Sequence, residues 1–169
     1  MDTLANTTVL SNFAAVSRLD VLRELLGRLY IPNEVYEEIL NGLEEGYDFY
    51  NTVEAEIYPL AEAGWIEVVS MDDGELRIFH SLPRRLYHGE AACLAMAQHR
   101  LWAFLTDDKL ARQTGRALGI IVSGTLGVLV QGVKRGLMTA ETGDELLREM
   151  IDRGYRSPHT SLQPFLKSV

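Results

Sequence analysis

Three short polar motifs between residues 88 and 126 carry groups that are suited to metal or phosphate chemistry. They are Gly89-Glu90-Ala91, Thr106-Asp107-Asp108 and Ser123-Gly124-Thr125. The first motif opens a helix that is apolar on every side, where an unpaired Glu90 carboxylate would be expensive without a cation nearby. The second and third motifs each follow a short apolar run that is typical of a buried strand. Because ligands bind at the carboxyl ends of parallel strands, we expect these groups to share one site.

Two further oxygen-bearing side chains extend this set. Asn6 lies beside the first predicted strand, and its amide oxygen is a suitable ligand for a hard cation. Glu38 lies at the border of the buried helix stripe formed by Val35, Ile39 and Leu43. Four such groups at four separate element ends indicate a site for Mg²⁺ or Mn²⁺, since no cysteine pair or histidine pair at helical spacing suits zinc.

Each of these side chains also has a structural interpretation, which the sequence leaves open. Asn6 fits a turn or strand-end amide, and Glu38 fits a solvated charge on a helix flank. Glu90 in a first helical turn gains free energy from the helix dipole. Either Asp107 or Asp108 fits an N-cap of the helix that follows.

Basic and hydroxyl side chains flank the acidic residues and are candidates for binding the phosphates of a nucleic acid. They are Arg84, Arg85, Lys109, Arg112 and Ser123. Arginine and lysine contact phosphates without reading sequence, and hydroxyls at a helix N-terminus, such as those of Ser123 and Thr125, are suited to a phosphate as well as to capping. For each basic residue the competing interpretation is an ordinary solvated surface charge.

The bulk properties favour one globular domain. The chain has 169 residues, of which 47% are apolar and 24% charged. The net charge of −8 argues against a uniformly basic nucleic-acid-binding surface but leaves room for a local basic track or an acidic metal site. Cys93 is the single cysteine, which excludes a disulfide framework and favours the cytoplasm. The sequence shows no signal peptide pattern and no apolar stretch of membrane-spanning length.

The apolar periodicity predicts strands that alternate with helices. Strands are predicted over 7–10, 29–31, 65–69, 101–105 and 120–122. Helices are predicted as two segments within 13–26, and over 32–40, 53–63, 91–97, 110–118, 126–133 and 145–151. Gly42 is expected to break the third helix, only one short helix is expected within 71–87, and the tail from Tyr155 is expected to be mostly loop. This alternation predicts an α/β fold with a parallel sheet covered on both faces.

In their order and spacing, these motifs resemble the PIN-domain family of metal-dependent nucleases, within it the PIN-like group of bacteria and archaea that is often found near toxin-antitoxin genes. The resemblance covers nearly the whole chain. It rests on Asn6-Thr7-Thr8-Val9-Leu10 in place of an Asp-Thr-x-x-Leu opening, Pro32-x-x-Val35-x-x-Glu38, Gly89-Glu90-Ala91, Thr106-Asp107-Asp108-x-x-Ala111-Arg112, and Gly119 through Ser123-Gly124-Thr125.

The resemblance implies a three-layer α/β/α sandwich around a central parallel sheet, in a single domain over 1–169 that pairs into a homodimer. Glu38, Glu90 and Asp107 match three acidic positions of the metal site, and Asn6 occupies the first position, where the family usually has Asp. Thr125 or Ser123 matches the hydroxyl position nearby. We therefore expect Glu38, Glu90, Asp107 and Thr125 to be catalytic, and Asn6, Glu38, Glu90, Asp107 and Asp108 to bind metal.

By the same resemblance the protein is expected to be an endoribonuclease that uses Mg²⁺ or Mn²⁺ to cut single-stranded RNA, as the toxin of a pair that is restrained by an antitoxin protein. The alternative is a degenerate PIN module that binds RNA or a protein without cutting, because Asn6 removes one negative charge from the site. A third hypothesis, an aspartate-dependent phosphatase, ranks last because no Asp-x-Asp follows the first strand.

Overall fold

A central sheet of six parallel strands organises the protein, whose structure is a computed structural model that describes residues 1–167. The strands are β1 (Thr3–Ala5), β2 (Leu29–Pro32), β3 (Ile57–Tyr58), β4 (Ile66–Val69), β5 (Ala103–Leu105) and β6 (Val122–Ser123). Their order across the sheet is β3-β4-β2-β1-β5-β6, and every neighbouring pair is parallel. The predicted domain limit at residue 169 lies outside the described residues.

Ten helices connect and cover these strands within the described residues. They are α1 (Thr7–Ala15), α2 (Leu19–Leu26), α3 (Asn33–Glu44), α4 (Tyr50–Glu54), α5 (Asp73–Ser81), α6 (His88–Arg100), α7 (Lys109–Ala117), α8 (Thr125–Lys134), α9 (Ala140–Asp152) and α10 (Gln163–Leu166). No helix in this part of the chain has both the length and the apolar character to cross a bilayer.

The helices form the two outer layers of the molecule. Helix α6 packs over β1, β2 and β5 and contacts α3, α5 and α7. Helix α1 contacts α2, α4 and α9, and α8 contacts α2, α9 and β6. The interior of α6 is apolar on all sides because it is buried from Ala91 to Ala97 between the sheet and its neighbouring helices. The predicted α/β/α sandwich with a parallel sheet is confirmed.

The prediction of a strand over 7–10 is wrong. The first strand is β1, which ends at Ala5, and Thr7 already begins α1. Val9, Leu10, Phe13 and Ala14 are all buried, which is the spacing of a helix face rather than of a strand. Asn6 therefore follows the first strand and lies at the carboxyl edge of the sheet, instead of preceding the strand as the sequence had indicated.

The predicted helix over 53–63 is also wrong. Helix α4 ends at Glu54, and the chain then forms β3, which pairs with β4 and buries Ile57. Pro59 follows directly, and a proline in a helix interior would lose a backbone hydrogen bond and clash with the preceding turn. Gly64 lets the chain pass close to the backbone of β3, because a Cβ at residue 64 would lie 2.5 Å from the Tyr58 backbone nitrogen.

Several element limits differ from the prediction for local reasons. Gly42 does not break α3; it lies in the helix and makes room for the Tyr50 ring, whose Cδ2 would lie 2.7 Å from a Cβ at that position. Leu101 is the left-handed C-cap of α6, so β5 begins only at Ala103. Ser123 is the last residue of β6, whereas the prediction had placed it after a strand over 120–122.

Candidate active site

The sheet order places two of the polar motifs side by side. Strand β1 lies between β2 and β5, so the direction in which the chain adds strands reverses at β1. Ligands of open α/β sheets bind at such a switch point, outside the carboxyl ends of the strands. Asn6 follows β1, and Thr106, Asp107 and Asp108 follow β5, with the Asn6 backbone nitrogen donating to the Leu105 carbonyl at 3.2 Å.

Asn6 is buried and is held by two threonine hydroxyls. Its Oδ1 accepts a hydrogen bond from Thr8 Oγ1 at 2.7 Å, and its Nδ2 donates to Thr106 Oγ1, also at 2.7 Å. The Thr106 hydroxyl accepts a second hydrogen bond from the Asp108 backbone nitrogen at 3.1 Å. Asn6 thus acts as a strand-end amide that links the β1 and β5 loops, and its amide oxygen keeps a free lone pair at the site.

Helices α3 and α6 bring Glu38 and Glu90 to the same edge. Gly89 makes this approach possible, because a Cβ there would lie 2.7 Å from Glu38 Oε1. The Thr7 hydroxyl donates to the Glu38 carboxylate, and Glu90 Oε2 accepts from the Tyr87 backbone nitrogen at 3.3 Å. Both acids are therefore held on the N-terminal side of α6, and Glu90 also acts there as a cap.

The pKa of Glu90 is raised by its burial and by the neighbouring carboxylates. Glu90 is only 6% exposed. Burial, together with the nearby negative charges of Asp108 and Glu38, raises its pKa from the ordinary value of 4.5 to about 7, against the lowering effect of the hydrogen bond from Tyr87. Such a shift is typical of a functional site in which like charges are placed together.

Asp107 and Asp108 have different partners. Asp107 accepts from the Thr125 backbone nitrogen at 2.8 Å, from Thr125 Oγ1 at 2.5 Å and from Asn12 Nδ2 at 3.1 Å. Asp108 Oδ2 accepts from the Ala111 backbone nitrogen at 2.8 Å and so caps α7, which leaves its other oxygen for the site. Asp107 is therefore bound to Thr125, whereas the Asp108 charge acts on Glu90.

Within the described residues, no basic side chain makes a salt bridge with any of these four acids, Glu38, Glu90, Asp107 and Asp108. Their partners are neutral hydroxyls, amides and backbone N–H groups, which orient the carboxylates without cancelling their charge. A hard divalent cation with oxygen ligands fits this arrangement, because it supplies the missing positive charge.

A second acidic group lies where the N-terminus of α5 meets the C-terminal end of α6, and it has another role. Ligand atoms of Asp72, Glu75 and His99 lie within 4.8 Å of one another. Glu75 is fully buried, yet hydrogen bonds from Arg100, the Asp72 backbone and His99 lower its pKa. Arg100 contacts both Glu75 oxygens, at 2.6 and 3.0 Å. Because Arg100 already compensates the charge, this group anchors α5 to α6. The sequence analysis did not single out this group, although the Asp72-x-x-Glu75 spacing of a capping box could have indicated it.

The predicted nucleic-acid-binding residues fall into two groups. Arg112 and Ser123 line one cavity beside the Asp107 loop. Arg84, Arg85 and Lys109 are exposed, and the structure does not bring them to that cavity.

The structure adds side chains that the sequence did not indicate. A cavity of about 330 Å³ in front of Asp107 and Asp108 is lined by Thr8, Ser11, Asn12, Gly154, Tyr155 and Arg156. Burial and the Asp107 charge raise the pKa of Tyr155. Thr8 and Asn12 lie one turn apart on α1, which brings them to the same helix face, whereas a strand over 7–10 would not. Nothing in the sequence pointed to Tyr155 or Arg156.

The comparisons with known proteins agree with this geometry. A family model described as a PIN domain matches residues 2–169. A comparison with curated proteins gives no significant match. The parallel sheet and the acidic residues at its switch point both lie inside the matched range. The chain therefore belongs to the PIN-domain family.

Proposed function

We propose that this protein is a divalent-metal-dependent endoribonuclease that cleaves single-stranded RNA. PIN domains are generally nucleases, and the family match covers nearly the whole chain. The observation that carries the proposal is the convergence of Glu38, Glu90, Asp107 and Asp108 at the sheet switch point, without a basic partner among the described residues. Mg²⁺ and Mn²⁺ are the cations that such oxygen ligands favour.

In this proposal the acids and Asn6 hold the metal, and neighbouring groups position the substrate. When bound, the cation lowers the pKa of a water molecule and neutralises charge on the phosphate. Glu90 feels the negative charges of Glu38 and Asp108, and it must release its proton to become a ligand. Asp107 holds the Thr125 hydroxyl and backbone nitrogen, and thereby sets the position of the α8 N-terminus toward a phosphate.

Asn6 supports a second candidate function, an RNA-binding or protein-binding module that does not cut. Its amide is neutral and is already held by Thr8 and Thr106. It therefore contributes no charge to a metal at the position where the family usually has Asp, which weakens a cation site.

The proposed nuclease also has a protein partner that restrains it. We infer that an antitoxin restrains the nuclease, and that the pair acts in the cytoplasm, where the RNA substrate is found. A small neighbouring gene for a DNA-binding protein that co-purifies with this chain is the expected observation.

The test is cleavage of a labelled single-stranded RNA by the purified chain. We expect cleavage with Mg²⁺ or Mn²⁺, and none with EDTA, Glu90→Gln or Asp108→Asn. Asp72→Asn is the matched control, because it removes one carboxylate from the second acidic group while Asn still caps α5. If the wild-type chain retards RNA but never shortens it with any metal, the non-cutting module is the correct function.

A further inference from the structure

We infer that a groove between α7, α8 and the C-terminal segment binds a single-stranded RNA strand where it leaves the active site. The inference rests on the proposed ribonuclease function and specifies where the substrate lies. This basic groove has a volume of about 450 Å³ and is lined by Arg112, Ser123, Lys134, His159 and Phe165, together with apolar residues of α8. The volume lies within the range of roughly 300 to 1,000 Å³ that is usual for ligand pockets.

The basic groove begins where the acidic site ends. Both border Gly124, since a Cβ at that position would lie 2.5 Å from Asp107 Oδ1 and 3.4 Å from Arg112 Nη1. Asp107 lines the cavity of the acidic site, and Arg112 lines the basic groove. A strand whose phosphate lies at the acidic residues therefore meets the Arg112 guanidinium next.

The charge of the basic groove matches a phosphate backbone. Among the described residues, neither Arg112 nor Lys134 makes a salt bridge or a side-chain hydrogen bond. In a chain with a net charge of −8, two unpaired cations that line one groove beside a nuclease site are suited to an anionic ligand. Phosphates are the anions that RNA offers at regular spacing.

The far wall of the basic groove carries two aromatic rings. The His159 and Phe165 ring centroids lie 4.8 Å apart, with planes at 85°, and the Phe165 side chain is 38% exposed. An exposed ring beside cationic groups is the arrangement that binds single strands, because bases stack on aromatic side chains while lysine and arginine contact the phosphates. This combination favours RNA over a protein helix as the occupant.

The aromatic wall is fixed to the body of the protein. Asp144 on α9 accepts hydrogen bonds from the Leu162 backbone nitrogen at 2.7 Å and from Ser161 Oγ at 3.2 Å. Leu162 itself is fully buried. The Ser157 hydroxyl accepts from the His159 backbone nitrogen at 3.1 Å. A wall that is ordered before binding loses little conformational entropy when a base stacks on it.

The test measures binding separately from cleavage. Fluorescence anisotropy of a short labelled oligouridylate is recorded in EDTA for the full chain and for Lys134→Ala, His159→Ala and Phe165→Leu. Arg77→Ala is the control, because it removes one exposed cation from α5, which contributes no residue to the lining of the basic groove, and matches the charge change of Lys134→Ala.

We expect each groove variant to weaken binding about fivefold or more, and Arg77→Ala to leave it unchanged. Lys134→Ala should also lower the slope of log affinity against log salt concentration by about 0.7, as expected for one lost phosphate contact. If Lys134→Ala and the two aromatic variants bind RNA like Arg77→Ala, the inference is wrong. The same holds if these variants lose a protein partner while RNA affinity is unchanged.

The outcome is distinguishable from failure of the proposed function. Metal-dependent cleavage with no effect of the groove variants on RNA binding overturns the basic groove alone. Groove-dependent binding without cleavage under any metal overturns the nuclease and leaves the basic groove as the RNA site of a non-cutting module.

Discussion

At position 6, a neutral amide lies between two hydroxyls at the point where β1 and β5 end. Thr8 donates to its oxygen and Thr106 accepts from its nitrogen. The Thr106 hydroxyl has its own proton to donate, so it is able to serve a carboxylate at position 6 after a rotation. The site is therefore built to accept a negative charge at position 6 without a change of shape.

The Asn6→Asp variant should bind Mn²⁺ at least about tenfold more tightly and cleave single-stranded RNA faster, because a carboxylate adds a Coulomb partner for the cation. In EDTA it should be about 2 kcal/mol less stable, since the new charge is buried beside other acids. Calorimetric titration with Mn²⁺ and urea unfolding measure the two effects. Asn51→Asp, on the exposed face of α4, is the control and should change neither quantity. Unchanged Mn²⁺ affinity in Asn6→Asp would show that residue 6 is not a ligand.

Glu90 makes the stability of the metal-free protein depend on pH. Its pKa is about 7 in the folded chain and 4.5 ordinarily, so between these values the unfolded chain loses the proton while the folded chain keeps it. Stability that is present below pH 4.5 is therefore lost as the pH rises to about 7. After allowance for solvent screening, we expect a loss of about 2 kcal/mol between pH 5 and pH 8 in EDTA.

Glu90→Gln should remove this contribution, because the amide does not titrate and its oxygen still accepts the hydrogen bond from Tyr87. Urea unfolding of both proteins at pH 5 and pH 8 checks the difference. Equal pH dependence in the two proteins would mean that Glu90 ionises normally. Mn²⁺ should reduce the pH dependence of the wild-type protein only, since its binding requires the ionised carboxylate.

At the scale of elements, the N-terminal turn of α6 determines whether Glu38 reaches the site. Gly89 leaves the space into which the Glu38 carboxylate packs, with Val35 Cγ2 also only 3.0 Å from a Cβ placed at residue 89. The glycine is therefore required for close approach between two helices rather than for a turn.

Gly89→Ala should displace the Glu38 carboxylate and lower Mn²⁺ affinity severalfold. Stability should change by less than about 1 kcal/mol, because the end of a flexible side chain moves and alanine gains helix propensity over glycine. Combining Gly89→Ala with Glu38→Gln tests the cause by a double-mutant cycle. If Gly89→Ala lowers affinity equally with Glu38 present or replaced, the loss does not pass through Glu38.

The helices and strands that were predicted correctly from the sequence are those whose apolar residues follow a single clear periodicity. The apolar runs of β5 and α6 and the acidic residues next to them are local features, so Glu90, Asp107 and Asp108 were placed correctly at the edge of the sheet. The start of the chain was misassigned because β1 has only three residues and Thr7 to Leu10 suit a strand as well as a helix. This segment is helical because the helix buries Val9 and Phe13 in the core. The roles of Asn12 and Tyr155 depend on contacts between distant segments, which a single sequence does not show.

At the scale of the whole molecule, an apolar groove remains open at the end of the sheet where β6 lies. It has a volume of about 170 Å³ and is lined by Leu25 and Leu26 of α2, by Ile121, and by Val128 of α8. Ile121 is 61% exposed. An apolar groove that carries an exposed isoleucine is suited to being covered by another protein, and in a homodimer a second copy of the chain covers it.

We predict that the purified protein is a homodimer whose interface includes this groove. Light scattering should give a mass about twice the 19.0 kDa of one chain at micromolar concentration. Ile121→Arg should shift the mass toward one chain, because it places a charge in the interface. Leu60→Arg is the matched control, since Leu60 is 69% exposed between β3 and β4, far along the sheet from β6. A monomer mass for the wild-type chain across the micromolar range contradicts the dimer. A dimer that persists in Ile121→Arg places the interface on another surface.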